Sequence, residues 1–126
     1  MRASVAAVEG RVAIVMAIHR PNLDHLRAQI VSLIRQTHSN WVCVIVSDGD
    51  AREAFHAISR DVATDPRFVF YNRRRWTGVL ATFADGLRAA PDDAAHYAFC
   101  DQDDVWHPDK LAAQVTEITA REAVLV

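Results

Sequence analysis

The chain alternates short apolar runs with longer segments in which apolar residues recur every three or four positions. The runs are residues 12–18, 41–46, 68–71 and 96–100. All four are typical of strands, and the continuous apolar character of the first two favours strands that are buried in the sheet. No two-residue hairpin signal separates neighbouring runs, so each strand should cross through a helix to a parallel neighbour. The alternation predicts an α/β fold with a mostly parallel, Rossmann-like doubly wound sheet.

Four helices are expected between and after these strands, with their apolar residues facing the sheet. The stripes are Leu23, Leu26, Ile30, Leu33 and Ile34; Phe55, Ile58 and Val62; Val79, Leu80, Phe83 and Leu87; and Leu111, Val115 and Ile118. Pro21 and Pro108 suit the first turns of the first and last helix. Residues 123–126 are apolar again and predict the start of a fifth strand. Residues 1–126 are therefore expected to form a single domain that is the N-terminal part of a longer one.

Size and charge exclude several classes of protein. A chain of 126 residues that is 51% hydrophobic can bury a core without a disulfide or structural metal. A net charge of -2 provides no broad positive field, so nucleic acid is not an expected partner. Cys43 and Cys100 lie in apolar runs, which favours buried thiols in a reducing cytoplasm. No apolar run approaches the ~20 residues of a membrane span, so neither export nor insertion is expected.

Polar residues follow each of the four predicted strands. They are His19 and Arg20, Asp48 and Asp50, Asn72 to Arg75, and Asp101 to Asp104. In an open parallel sheet, ligands bind outside the carboxyl ends of the strands, where loops and helix N-termini meet. We therefore expect all four groups to lie on one rim of the sheet.

The acidic run after the fourth strand predicts a metal site. Asp101 and Asp103 are two residues apart, so in extended backbone their side chains project to the same side. Carboxylates suit Mg²⁺ or Mn²⁺, which usually keep positions for substrate phosphates. The alternative is that Asp103 and Asp104 only complement the dipole of the helix near Pro108. Three carboxylates exceed what a cap requires, which favours the metal site.

The other rim residues are less distinctive. Asp48 could accept hydrogen bonds from a base or ribose, but Asp-Gly is also a common turn pair, and the residues alone leave both interpretations open. The run Arg73 to Arg75 could clamp a phosphate or contact an acidic acceptor, but such a run is more typical of a solvated loop. The six histidines show no HExxH or paired spacing, so zinc is not expected.

Several short motifs together resemble the N-terminal half of family 2 glycosyltransferases, most closely the rhamnosyltransferase-like members that build bacterial surface polysaccharides. The motifs are Arg20-Pro21, Ser32-Leu33-Ile34 with Gln36-Thr37, Asn40-Trp41, Ser47-Asp48-Gly49, Gly78, Phe99 through Trp106, and Pro108-Asp109-Lys110. The block from Phe99 to Trp106 is the most specific. The resemblance spans nearly the whole chain and implies a GT-A type fold.

The resemblance also implies roles for particular residues. Asp101 and Asp103 match the DxD motif that binds metal and nucleotide sugar, and Asp48 matches an acidic nucleotide contact. Further positions assigned to the donor site are His19, Gly78 and Asp104. Family members transfer sugar from a nucleotide-diphosphate sugar to a saccharide or lipid-linked acceptor with inversion, using a base expected beyond residue 126. The resemblance implies a cytoplasmic enzyme, and peripheral association with the inner face of the membrane would involve regions outside this chain.

The sequence departs from the family pattern at donor-site positions. The usual Thr-Tyr-Asn after the first strand is Ala17-Ile18-His19, and the usual Asp-Asp-Gly is Ser47-Asp48-Gly49. The family's Asn-x-Gly corresponds to Trp76-Thr77-Gly78, and a following Asn to Thr82. These differences fall where the donor would be hydrogen-bonded.

Two other functions are compatible with an acidic run after a strand. A phosphotransferase of the haloacid dehalogenase type would use Asp101 as nucleophile and Asp103 as acid-base partner. That motif normally follows the first strand, whereas this one follows the fourth. A domain that binds nucleotide without turnover is the other alternative, since no acceptor site or base is identified.

Overall fold

The computed structural model describes residues 10–102 and 104–125, the last five of them as backbone only. Four strands alternate with four helices. They are β1 (Val12–Ile18), α1 (Leu23–Ile34), β2 (Trp41–Ser47), α2 (Arg52–Val62), β3 (Phe68–Tyr71), α3 (Val79–Ala89), β4 (His96–Asp101) and α4 (Lys110–Leu125). The predicted α/β class and the order of its eight elements are confirmed.

The four strands form one sheet in the order β3-β2-β1-β4, and every pair is parallel. From β1 the chain moves outward through β2 and β3, and then crosses back to add β4 on the other side of β1. The direction of winding therefore reverses between β1 and β4. Such a reversal opens a crevice at the carboxyl ends of the two strands, which is where open α/β sheets bind ligands.

Helices cover both faces of the sheet with different kinds of side chain. On one face, large residues of β1 and β2 pack with α1, α2 and the start of α4, for example Ile14, Ile45 and Leu26. On the other face the strands present smaller residues, and α3 lies close above them. A Cβ added at Gly86 would collide with Val15, so only glycine permits this approach. The doubly wound prediction is thus confirmed.

The predicted orientation of α3 is wrong. Val79, Leu80 and Leu87 were expected to face the sheet, yet Leu80 is 83% exposed and the other two are also exposed. Thr82 and Gly86 are buried instead. A helix with this sequence has an apolar face and a neighbouring face of small residues. The face of small residues packs on the sheet because it allows a closer approach. The exposed apolar face lies beside β4, where Phe83 contacts Phe99 with 5.0 Å between ring centroids.

The edge strands are less buried than the central ones. β1 and β2 are buried along nearly their whole length, but β3 and β4 alternate between inward and outward side chains. Tyr97 and Phe99 of β4 are 48% and 55% exposed. An apolar run of four or five residues does not reveal whether helices cover both of its faces. The burial predicted for the two central strands is confirmed.

The predicted fifth strand at residues 123–126 is also wrong. Residues 123–125 continue α4, and Val126 lies outside the described residues. A short apolar run fits a strand or a buried helical segment equally well. Here it follows Ala and Glu, which favour helix, so the helix simply continues.

Candidate functional site

A cavity of about 380 Å³ opens at the carboxyl ends of β1 and β4, where the winding of the sheet reverses. It is lined by Ala17, Ile18, His19, Asp48, Val79, Thr82, Asp101 and Gln102. Three residues assigned to the donor site from sequence, His19, Asp48 and Asp101, therefore surround one cavity. Gly78, a fourth, adjoins it through a hydrogen bond to Asp48. These residues come from four separate segments of the chain.

Asp101 ends β4 and pairs in register with Ala17 of β1. Its side chain is exposed at the cavity, and no described residue donates a hydrogen bond to its carboxylate. A hard oxygen ligand without a competing cation partner fits Mg²⁺ or Mn²⁺, which are usually held by one or two carboxylates together with phosphates. Asp101 therefore suits one protein position in such a site.

The other two acids of the run, Asp103 and Asp104, are not among the described residues that line the cavity. Asp103, the predicted second metal ligand, lies outside the described residues. Asp104 is exposed, and its N–H donates to the Asp101 carbonyl at 3.4 Å. Asp104 is not among the cavity residues. Within residues 10–102 and 104–125, no three His, Cys, Asp or Glu side chains are grouped so that they could hold a metal ion.

Gln102, which sequence analysis did not select, joins the ends of β1 and β4. The His19 N–H donates to Gln102 Oε1 at 2.7 Å, and Gln102 Nε2 donates to the His19 carbonyl at 3.2 Å. An amide can make both bonds because it carries a donor and an acceptor. The position of Gln102 between two acids was the one sequence feature that could have drawn attention to it. Its partner, His19, is 83 residues away in sequence.

His19 is exposed and contacts the turn after β2 as well. Its Nδ1 lies 3.1 Å from the Asp48 carbonyl oxygen. Because a carbonyl only accepts, this hydrogen bond requires the proton on Nδ1. The imidazole also meets Trp76 edge-on, with 4.6 Å between ring centroids. His19 therefore connects β1 to two loops of the rim.

Asp48 is half-buried and holds the loop before α3. Its two carboxylate oxygens accept hydrogen bonds from the N–H groups of Thr77, at 2.8 Å, and Gly78, at 3.1 Å. Gly78 has a φ of 92°, a left-handed conformation that favours glycine. Asp48 therefore has a structural role in the turn after β2, where its carboxylate forms a clasp with the loop before α3. The same residue also lines the cavity.

Arg73 is buried and is part of the same clasp, whereas the prediction was a solvated loop, a phosphate clamp or a contact with an acidic acceptor. Its guanidinium lies 2.8 Å from Asp85 of α3 and donates to the hydroxyls of Thr82, at 2.6 Å, and Thr77. Its backbone N–H donates to Ser47 Oγ at 2.8 Å. Arg74 and Arg75 are exposed. A run of arginines does not show that one member turns inward to meet an acid twelve residues later.

The segment that follows the acidic run is held by two buried polar residues, Ser32 of α1 and Gln36 just after its end. Ser32 Oγ accepts the Trp106 N–H at 3.1 Å. Gln36 Nε2 donates to the His107 carbonyl at 2.8 Å, and its Oε1 accepts the Leu111 N–H at 3.1 Å. Hydrogen bonds therefore hold the chain at Gln102 and again at residues 106–111. Ser32 and Gln36 belong to the motifs that carried the resemblance, but only the structure reveals what they hold.

The two cysteines are buried, as predicted. Burial raises the pKa of the Cys43 thiol well above its usual range. The pKa of the Cys100 thiol is raised to about 12, chiefly by burial. The Gln29 hydrogen bond lowers this pKa, and the nearby Asp104 and Asp101 carboxylates raise it further. Both thiols are therefore neutral near pH 7, and neither is suited to bind a metal or act as a nucleophile.

The parallel sheet and the cavity at its reversal point are features of α/β folds, in which ligands commonly bind at a topological switch point. Residues 13–126 match the model of Glycosyl transferase family 2, so the chain belongs to that family. It is also similar to the Bifunctional glycosyltransferase pgtA of Dictyostelium discoideum, with 26% identity over 110 residues. That alignment covers 86% of this chain and 14% of the relative, so the chain spans about a seventh of the relative's length.

Among the described residues, no helix is both long enough and apolar enough to cross a membrane.

Proposed function

We propose that the protein binds a nucleotide-diphosphate sugar at the cavity between β1 and β4 and transfers the sugar to a saccharide or lipid-linked acceptor. The observation that carries this proposal is the meeting of His19, Asp48, Gly78 and Asp101 at one switch-point cavity in a chain of this family. The relative is itself called a bifunctional glycosyltransferase, which supports the same reaction class.

The proposed transfer depends on a divalent metal. Asp101, together with Asp103, would hold Mg²⁺ or Mn²⁺ against the diphosphate. When bound, such an ion neutralises the negative charge that develops on the departing nucleoside diphosphate. The chain's own residues keep Asp101 at the cavity, because Gln102 fixes the ends of β1 and β4 and Ser32 and Gln36 hold the segment beyond the acids.

The finer assignments follow the resemblance. We propose an inverting, rhamnosyltransferase-like enzyme of bacterial surface polysaccharide synthesis that acts in the cytoplasm, at the inner face of the membrane. Residues 1–126 would form the N-terminal, donor-binding part of a longer domain, and the base that deprotonates the acceptor would lie beyond residue 126. The exposed Asp101 and the two hydrogen bonds between Gln102 and His19 support the donor-binding role.

Calorimetry with and without Mn²⁺ tests the proposal. UDP or dTDP should bind measurably only when Mn²⁺ is present. Asp101→Asn keeps the shape of the side chain but removes its charge, so the metal-dependent affinity should fall by at least about tenfold, the effect of roughly 1.4 kcal/mol. Asp92→Asn, which alters an exposed loop carboxylate, is the matched control and should bind like the wild type.

Equal binding with and without Mn²⁺, or unchanged binding by Asp101→Asn, would contradict the metal-dependent mechanism. The phosphotransferase alternative predicts instead a covalent phosphate on Asp101, which mass spectrometry detects. Nucleotide binding without turnover would appear as normal affinity with no sugar transfer to any acceptor.

A further inference from the structure

A second cavity, of about 560 Å³, lies next to the first on the rim of the sheet, between the ends of β1 and β2. The two cavities share Ile18 and Asp48. The second cavity is distinguished by Trp76, whose side chain lines it and is 57% exposed. Trp41 and Trp106 are both buried. An exposed indole in the wall of a cavity offers a flat apolar surface to a ligand.

Contacts on several sides hold the Trp76 ring in place. A Cβ added at Gly49 would come within 2.8 Å of Trp76 Cε2, so the indole lies flush against this glycine. Gly49 also donates its N–H to the Arg75 carbonyl at 2.9 Å, and Asp48 accepts from Thr77 and Gly78. The residues before and after Trp76 are thus tied to the turn after β2, and the ring is pre-positioned rather than loosely exposed.

Arg20 adds a cation at the same place. Its guanidinium carbon lies 4.8 Å from the Trp76 ring centroid, within the range of a cation–π contact. Arg20 has a φ of 44°, a left-handed conformation that residues with a Cβ rarely adopt, and such outliers cluster at functional sites. No described carboxylate forms an ion pair with Arg20.

We propose that Trp76 is the stacking surface for the nucleobase of the donor, and that Asp48 is the positioning residue that holds it. This inference rests on the proposed function, which places the diphosphate beside Asp101. From β4 to β2 the rim spans two strand spacings, roughly 10 Å, which is the order of the distance from the second phosphate of a nucleoside diphosphate to its base. A donor whose diphosphate lies at Asp101 therefore brings its base into the Trp76 cavity.

The chemistry of the second cavity suits stacking better than hydrogen-bonded recognition of the base. Both carboxylate oxygens of Asp48 already accept backbone N–H groups. Asp50 is engaged by Arg52 and Asn72, and the Asn72 hydrogen bond is the main cause of its lowered pKa. Beside its contacts with Gly49, His19 and Arg20, Trp76 keeps more than half of its surface exposed to a ligand, and aromatic stacking tolerates any base because every base has a π-face. Trp76 should therefore strengthen binding of nucleotides in general.

Isothermal titration of the protein with UDP and with inorganic pyrophosphate, each in the presence of Mn²⁺, tests this assignment. Trp76→Ala should weaken UDP binding roughly 10- to 100-fold, the effect of losing one stacked base, and leave pyrophosphate binding unchanged. Trp76→Phe keeps an aromatic face and should restore most of the UDP affinity. Gly49→Ala should weaken UDP binding without removing the indole, because the added Cβ displaces the ring.

Tyr97→Ala removes another exposed aromatic residue, away from both rim cavities, and should change neither affinity. Quenching of tryptophan fluorescence by UDP should be largely lost in Trp76→Phe, because the other two tryptophans are buried. If Trp76→Ala binds UDP as tightly as the wild type, or loses UDP and pyrophosphate binding equally, the stacking assignment is wrong while the proposed function stands. If the wild type binds no nucleoside diphosphate with Mn²⁺, the proposed function fails and this inference fails with it.

Discussion

The two faces of the sheet are built differently, yet both serve the same rim. On the face covered by α1, large apolar side chains fill the core, and the buried polar residues Ser32 and Gln36 reach out to hold the segment after the acids. On the face covered by α3, small residues let the helix approach, and buried Arg73 holds the loop that carries Trp76 and Gly78. The comparison indicates that the core positions the candidate site from both sides.

The largest effect should come from breaking the buried ion pair on the α3 face. Asp85→Ala leaves the Arg73 guanidinium, whose side chain is 4% exposed, without its carboxylate partner. Removing one member of a buried pair typically costs about 3–5 kcal/mol, and the lower end applies here because the Thr82 hydroxyl still accepts from Arg73. Urea unfolding monitored by circular dichroism measures the loss.

The matched control for that experiment is the surface pair between Arg11 and Asp93, which is 2.7 Å long against 2.8 Å for the buried pair but far more exposed. Asp93→Ala should cost less than about 1 kcal/mol, since solvent screens exposed pairs. Equal losses in the two variants would mean that Arg73 contributes no more than a surface residue. The α3 face would then have no polar anchor comparable to that of α1.

A smaller effect is expected from Ser32→Ala on the α1 face. The variant leaves the buried Trp106 N–H without an acceptor, which should cost about 1–3 kcal/mol. Because the released segment follows the acids directly, the affinity for UDP with Mn²⁺ should fall as well. Thermal unfolding and calorimetry give the two measurements.

Ser59→Ala supplies a close control for Ser32→Ala. Both serines donate to the carbonyl three residues earlier in a helix, at 2.6 Å for Ser32 and 2.7 Å for Ser59, but Ser59 is exposed and holds no other segment. Its replacement should change stability by no more than about 0.5 kcal/mol. Loss of stability in Ser32→Ala with full metal-dependent affinity would show that α1 supports the fold without positioning the acids.

The sequence predicts the parts of this molecule that depend on local pattern. The central strands are long apolar runs, and the rule that parallel strands end on one rim is enough to bring His19, Asp48 and Asp101 together. What the sequence does not predict depends on distant contacts. Gln102 and Ser32 meet partners 83 and 74 residues away, and no spacing encodes such pairs.

The orientation of α3 was missed for a related reason. Its apolar residues define a face, and periodicity alone assigns such a face to the core. Which face packs inward is decided by the partner surface, and here the strands leave room only for residues such as Thr82 and Gly86. Arg73 pairs with Asp85, which lies on α3. With the wrong face of α3 assigned to the core, this buried ion pair could not be predicted.

The smallest effect concerns an ion pair outside both anchoring systems, near the start of β3. Hydrogen bonds from Arg67 are the main cause of the lowered pKa of Asp65. A carboxyl whose pKa is lower in the folded state stabilises the fold above its unfolded pKa, and this contribution disappears as pH falls through the lowered value.

Asp65→Asn should therefore be less stable than the wild type at pH 7. The difference should shrink as the pH falls below the ordinary aspartate pKa of about 3.9 and vanish once the folded wild-type carboxyl is protonated. Urea unfolding at a series of pH values measures it. Because Asp65 lies away from the rim cavities, metal-dependent UDP binding should be unaffected, and a change in binding would show that this end of the sheet also positions the site.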